Sequence, residues 1–133
     1  GGGKYMAILQ CKKTVHTDEG KQRQAALLAF SAFPELTHVI LVDEDVDIFD
    51  TNDVLWTMNT RFQGDRDIIT IPGVRCHPLD PSSCPEYTGS IRDVGCSTKT
   101  IFDCTVPFEL KEKFKRAAFQ EVDVRHWLPD FEL

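Results

Sequence analysis

The chain alternates between apolar runs of strand length and segments whose apolar residues recur with a helical period. Residues 5–10 (YMAILQ) form one such run, closed by Lys12 and Lys13. A polar stretch leads to residues 20–33, where Ala25, Leu28, Ala29 and Ala32 recur at i, i+3, i+4 and i+7, the spacing of one helix face. Leu27 and Phe30 widen that face, so the helix is expected to lie on a sheet. Pro34 ends it, because proline disfavours the helical conformation of the residue before it. Residues 38–42 (HVILV) are apolar without alternation, as in a strand covered on both faces. Asp50 or Thr51 can cap the next helix through a side-chain oxygen that accepts from free backbone N–H groups. Val54, Leu55, Met58 and Phe62 share one face of that helix, Gln63-Gly64-Asp65 breaks it, and residues 67–71 (DIITI) make a third strand. Strand, helix, strand, helix, strand in this order predicts parallel strands joined by crossovers.

After Pro72 and Gly73 the pattern changes. Residues 74–95 are rich in proline and read as a long loop, a feature that in compact domains is often functional. Residues 97–105 (STKTIFDCT) supply one more strand. Pro107 is well placed to start a helix, expected to run to about Phe119 with Leu110, Phe114 and Ala118 on one side. Glu109 with Lys113, and Glu112 with Arg116, would pair on its outer face. The tail, residues 122–133, carries Trp127, Leu128, Phe131 and Leu133, an apolar weight expected to dock on the core, another domain or a second subunit. The fold expected is a single α/β domain over residues 1–133. It is a three-layer sandwich with a mostly parallel sheet flanked by helices, a long Pro-rich loop and a C-terminal helix.

Bulk composition narrows the function. At 133 residues, 41% apolar and 27% charged, the chain is that of a globular domain with a real core. A net charge of −6 argues against a nucleic-acid face, and the basic residues from Lys111 to Arg116 read as one solvated helix face. No apolar run approaches the roughly 20 residues a membrane helix needs. The start, Gly1-Gly2-Gly3-Lys4, lacks an apolar signal region and reads as a flexible lead-in, a cloning remnant, or the start of a fragment cut from something longer. Five cysteines (Cys11, Cys76, Cys84, Cys96, Cys104) without a C-x-x-C pair read as buried free thiols of a cytoplasmic protein.

The polar residues gather at strand ends, where open α/β sheets usually place their ligands. Asp43, Glu44, Asp45, Asp47 and Asp50 could hold Mg²⁺ or Mn²⁺, since hard cations prefer oxygen ligands. Asp43-x-Asp45 fits the D-x-D of nucleotide-sugar transferases. A haloacid-dehalogenase pattern lacks its threonine, Asp47 standing in that place. A receiver domain lacks a suitable late lysine, for which Lys99 is a poor candidate. An EF-hand is excluded by Ile48 and Val54 at its sixth and twelfth positions. Helix capping and loop solvation are the plainer and preferred reading of the cluster. His77, in Arg75-Cys76-His77-Pro78-Leu79-Asp80-Pro81, sits on a loop stiffened by proline and could aim an imidazole into a cleft. No serine or cysteine is evidently paired with it, so a nucleophilic triad has no support. Lys12, Lys13 and Lys21 could meet a phosphate, with solvated lysines the plainer reading.

Three blocks carry a family resemblance: HVILVDEDVDIFDTNDVLWTMNTRFQGDRDIITIPG at 38–73, HPLDPSS at 77–83 and GCSTKTIFDCT at 95–105. A looser block joins KYMAILQCKK at 4–13 to GKQRQAALLAF at 20–30. Together they resemble the C-terminal domain of the UbiD family of prenylated-FMN-dependent decarboxylases. The resemblance implies reversible decarboxylation of aromatic or α,β-unsaturated acids by a full-length protein that uses prenylated FMN with Mn²⁺ and K⁺. It places the cofactor site, the metal ligands and the catalytic Glu–Arg–Glu trio in preceding domains. No catalytic, cofactor-binding or metal-binding residue is then expected in this chain, nor activity from it alone. The implied tasks are closing over the flavin, lining the substrate pocket and subunit association through the C-terminal region. The implied substrate contacts are His77, Leu79 and Lys4. A histidine at 77 suits a phenolic acid such as protocatechuate or gallate, because imidazole can hydrogen-bond a ring hydroxyl. The acidic cluster becomes structural. Residues 84–92 form an insertion at the pocket rim that departs from the family's shorter loop. Other readings are a stand-alone interaction module of the same fold and a D-x-D transferase fragment.

Overall fold

The computed structural model describes residues 3–83 and 95–127. Its central sheet has four strands in the order β1-β2-β4-β3. They are β1 (Met6–Cys11), β2 (His38–Asp43), β3 (Ile68–Arg75) and β4 (Cys96–Cys104). β2 pairs in parallel with β1 on one side and β4 on the other, Leu41 lying opposite Leu9 and Asp103. As the unbroken apolar run requires, β2 is buried on both faces. Val39 and Leu41 pack with Ile101 beneath Ala26 and Phe30 of α1 (Lys21–Ala32). Ile40 and Val42 pack with Cys104 beneath Val54 of α2 (Thr51–Thr60). Helices therefore cover opposite faces, and the three layers follow.

Four expectations are corrected. β3 runs antiparallel to β4 at the sheet edge and extends through Pro72 and Gly73. An apolar run has no direction, so the direction of β3 lies outside what its pattern encodes. Proline is tolerated there because an edge strand can spare one N–H. The buried face of α1 is Gln22, Ala26 and Phe30 with Ala29 at its margin, whereas Leu27 and Leu28 are exposed. In α2, Val54 and Thr57 are buried while Leu55 is exposed. The expected helix from Pro107 is a 3-10 segment, Phe108–Phe114, followed by chain without regular structure to Asp123 and a single turn, α3 (Val124–Trp127). The i, i+4 pairs expected there do not form. Lys115 pairs instead with Glu112, and Arg116 reaches Asp53 at 2.7 Å.

The cap of α2 is as expected: the Asp50 side chain accepts from the Asn52 N–H at 2.9 Å. Cys11, Cys76, Cys96 and Cys104 are free thiols; Cys76 and Cys104 are buried, the others half-buried. Burial pushes the Cys104 thiol up to about 12, with Asp103, Asp67 and Asp43 adding to the shift. Cys84, the whole of the 84–92 insertion and the apolar end of the tail from Leu128 lie outside the described residues. No helix among the described residues is long and apolar enough to cross a membrane.

Candidate functional site

The two ends of the parallel strands have different characters. At their carboxyl ends lies a cavity of about 630 Å³, lined by Lys12, Lys13, Arg61 and Lys111 together with Asp43, Glu44 and Asp45. Within the acidic cluster Asp43 and Asp45 are spent on Arg61, whereas Glu44 meets Lys111, Asp47 accepts from the Phe49 N–H and Asp50 caps α2. Arg61, its side chain 3% exposed, donates from Nη1 to Asp43 Oδ2 at 2.9 Å. It also forms a two-pronged contact with Asp45, at 2.7 Å on each oxygen. Arg116 grips both oxygens of Asp53, and the two guanidiniums stack on the Trp56 ring, 5.0 and 4.1 Å from its centroid. Arg61 reaches the Phe114 carbonyl and Lys111 the Lys13 carbonyl, so these groups bind the 3-10 segment to the sheet end. Lys111 and Arg116 are thereby tied to the fold, whereas Lys113 and Lys115 remain exposed, as the reading of a solvated face has them. Lys13 is not solvated: it is buried, and all three of its N–H bonds are used, on Glu19, Thr105 and the Val106 carbonyl.

These contacts shift the carboxylates. Hydrogen bonding from Arg61 holds Asp45 below the ordinary range, and Arg116 does the same for Asp53. Burial opposes ionisation of Asp103, but bonds from Thr105, Arg23 and Gln22 outweigh it and the group is lowered. Asp43 is raised, burial exceeding the help it takes from the Val106 N–H and Arg61. A carboxylate lowered on folding stabilises the fold above its unfolded value, here 3.8. That contribution is lost as pH falls through the folded value; Asp43, raised, works in the opposite sense. The unfolding midpoint is therefore expected to change little from about pH 7 to pH 5 and to fall steeply below about pH 4. Circular dichroism melts across that range check it, and a midpoint held down to about pH 2.5 would contradict it.

The residues that the resemblance implied as substrate contacts gather at the opposite, amino ends of the parallel strands. Lys4 precedes β1 and His77 follows antiparallel β3, and Lys4 Nζ lies 2.8 Å from His77 Nε2 although 73 residues separate them. The Leu79 N–H donates to His77 Nδ1 at 3.1 Å. Both ring nitrogens thus face N–H donors, and a neutral imidazole accepts at only one. The two contacts compete for the ring. Tyr5 meets the ring edge-on, with centroids 6.3 Å apart, and its hydroxyl donates to the Leu79 carbonyl at 3.1 Å. Leu79 itself is 75% exposed beside them.

Thr37, Asp80 and Ser82, behind this pair, had no role in the sequence reading. Buried Asp80 accepts from Thr37 Oγ1 at 3.2 Å and from the Ser82 N–H and hydroxyl at 2.9 and 2.7 Å. Asp-Pro-Ser is a recognisable signature for such a turn, in which the side chain accepts from the backbone two residues on. Lys99, set aside above, is buried with its ammonium on the carbonyls of Pro34 and Leu36. Burial lowers it, with Cys76, Asp80 and Glu35 opposing.

The large cavity is lined by as many carboxylates as cations, which opposes a phosphate. Among the described residues no group of three or more His, Cys, Asp or Glu is arranged to hold a metal ion.

An α/β domain with a paired lysine and histidine at the amino ends of its strands is the class these observations define. The family model for the 3-octaprenyl-4-hydroxybenzoate carboxy-lyase C-terminal domain matches residues 1–104. The chain belongs to the UbiD C-terminal domain family. It is 63% identical over 123 residues to gallate decarboxylase of Lactiplantibacillus plantarum, covering 92% of this chain and 25% of that protein. Apo 3,4-dihydroxybenzoic acid decarboxylase (AroY) of Klebsiella pneumoniae superposes with a TM-score of 0.84 at 60% identity, over 98% of this chain and 27% of that one. HmfF of Pelotomaculum thermopropionicum, a UbiD-class enzyme solved in complex with FMN, matches with a TM-score of 0.72 at 32% identity, over 86% of this chain and 23% of that one. An evolved dimeric form of HmfF has been solved with prFMN. The chain thus spans about a quarter of the length of each relative.

Proposed function

We propose that this chain is the capping domain of a decarboxylase of phenolic aromatic acids, in which Lys4, His77 and Leu79 meet the substrate. The observation that carries the reading is the 2.8 Å approach of Lys4 to His77 on an open rim beside exposed Leu79. The competition for the His77 ring gives the pair a reason to open. An incoming phenolic oxygen takes the Nε2 position, and the released ammonium pairs with anionic oxygen on the acid. Leu79 covers the apolar ring. Docking of this surface excludes water, which strengthens these polar contacts.

In this reading prenylated FMN, Mn²⁺, K⁺ and the catalytic groups are held by flavin-binding segments outside these 133 residues, and no chemical step is assigned to this chain. The FMN held by HmfF and the phenolic acids named for gallate decarboxylase and AroY support the choice. The free thiols support a cytoplasmic setting. The test is carbon dioxide release from protocatechuate and gallate, with and without the preceding flavin domains and reconstituted cofactor. Release is expected only from the longer protein; turnover by the 133 residues alone would sink the proposal.

Association with a second copy through the C-terminal region belongs to the same reading, supported by the exposure of Phe119, Val122 and Trp127. Deleting residues 122–133 is expected to lower the association state in sedimentation velocity. An identical sedimentation profile would count against it.

A further inference from the structure

Resting on the proposal that Lys4 and His77 meet the substrate, we infer that Thr37 and Asp80 are positioning residues that set the approach of one to the other. An exposed amine and a half-buried imidazole cannot fix their own separation, since solvent-exposed charged contacts are weak and pay side-chain entropy. The geometry comes from a closed circuit behind them. Thr37 is anchored on both sides: its N–H donates to the Tyr5 carbonyl at 2.8 Å, and its carbonyl accepts from the Thr100 N–H at 2.9 Å. Its hydroxyl therefore projects from a fixed point beside the start of β1, and it donates to Asp80 Oδ2.

Asp80 fixes the loop in turn. Its other oxygen takes both Ser82 donors, its N–H donates to the His77 carbonyl at 3.0 Å, and its carbonyl accepts from the Ser83 hydroxyl at 2.9 Å. The Tyr5 hydroxyl closes the ring on the Leu79 carbonyl. Tyr5, Thr37, Asp80 and Leu79 thus form one loop of hydrogen bonds, with Lys4 attached at Tyr5 and His77 two residues before Leu79. Among the described residues no cation hydrogen-bonds the buried Asp80 carboxylate, which makes it a costly way to close a turn. What it secures here is the register between the Lys4 and His77 segments.

Thr37→Val removes the hydroxyl at nearly constant shape, and Thr37→Ser keeps it. In the labelled chain, Thr37→Val is expected to move the ring-nitrogen signals of His77 while the β2 amides stay in place, and Thr37→Ser is expected to restore them. In the full-length decarboxylase, Thr37→Val is expected to cut kcat/KM on a catechol acid about 3–10-fold, the scale of one hydrogen bond. In a His77→Ala background that loss is expected to vanish, because the effect passes through the ring. Unchanged ring signals, or the same loss with and without His77, would overturn the inference. Should His77→Ala itself leave the kinetics unchanged, the substrate reading falls, while the ring signals still decide whether Thr37 positions His77. Asp80→Asn serves the same cycle if Thr37→Val does not fold. Failure of both to fold would mark the pair as fold determinants and overturn the positioning role.

Discussion

Replacing Arg61 by alanine is expected to lower the unfolding free energy by about 3–5 kcal/mol, the scale of stranding a buried charge. Three groups lose their partner at once. Asp43, 5% exposed, would keep only the Val106 N–H, Asp45 would lose both prongs of its contact, and the Phe114 carbonyl would lose its donor. The 3-10 segment should loosen with it, because Arg61 is one of the groups that bind it to the sheet. Chemical denaturation measures the loss. Adding Asp43→Asn should recover part of it, since the stranded charge is then gone. A loss below about 1 kcal/mol would mean that solvent already screens the pair.

The second large effect concerns chemistry. In the full-length decarboxylase, His77→Ala is expected to reduce turnover of catechol acids by about 10–100-fold while flavin absorbance stays unchanged. That corresponds to about 1.4–2.7 kcal/mol, the scale of a lost hydrogen bond to a polar or charged substrate group. The split between retained flavin and lost turnover follows from the proposal that flavin is held by segments outside these 133 residues, whereas His77 meets the substrate on the rim with Lys4 and Leu79. Unchanged kinetics would remove His77 from the pocket, and loss of flavin together with turnover would make it a cofactor contact instead.

How much of this was written in the pattern of residues can be judged element by element. β2 was legible because a short, β-branched and unbroken run such as HVILV is what a strand covered on both faces carries. The cap at Asp50 was legible for a local reason, as a side-chain oxygen and the N–H it accepts from lie two residues apart. The face of α1 was not. Alanine and leucine surround that helix, and tertiary packing chose Ala26 and Phe30 over the Ala25 and Leu28 side. The segment after Pro107 had helical spacing, yet its cations were drawn to Glu44, Asp53 and backbone carbonyls elsewhere in the fold. Lys13 looked like a surface lysine because its partners Thr105 and Val106 are more than 90 positions away. For the same reason His77 and Leu79 could be singled out within their loop, but their bonds to Lys4 and Tyr5 could not.

Under the proposal that this rim meets the substrate, the irregularity in β3 has a practical consequence. Between Ile71 and Val74 the strand holds one residue more than β4 does between Lys99 and Ser97, and Gly73 takes a φ of 71° to accommodate it. Such a bulge bends its strand without reversing the alternation beyond it. Trimming or lengthening the backbone by one position at Pro72 or Gly73 would swing the imidazole-bearing arm through a new angle and leave every rung from Ile68 to Ile71 intact. Aim and anchorage are separately adjustable here, which makes this dipeptide a natural hinge point for redesigning selectivity.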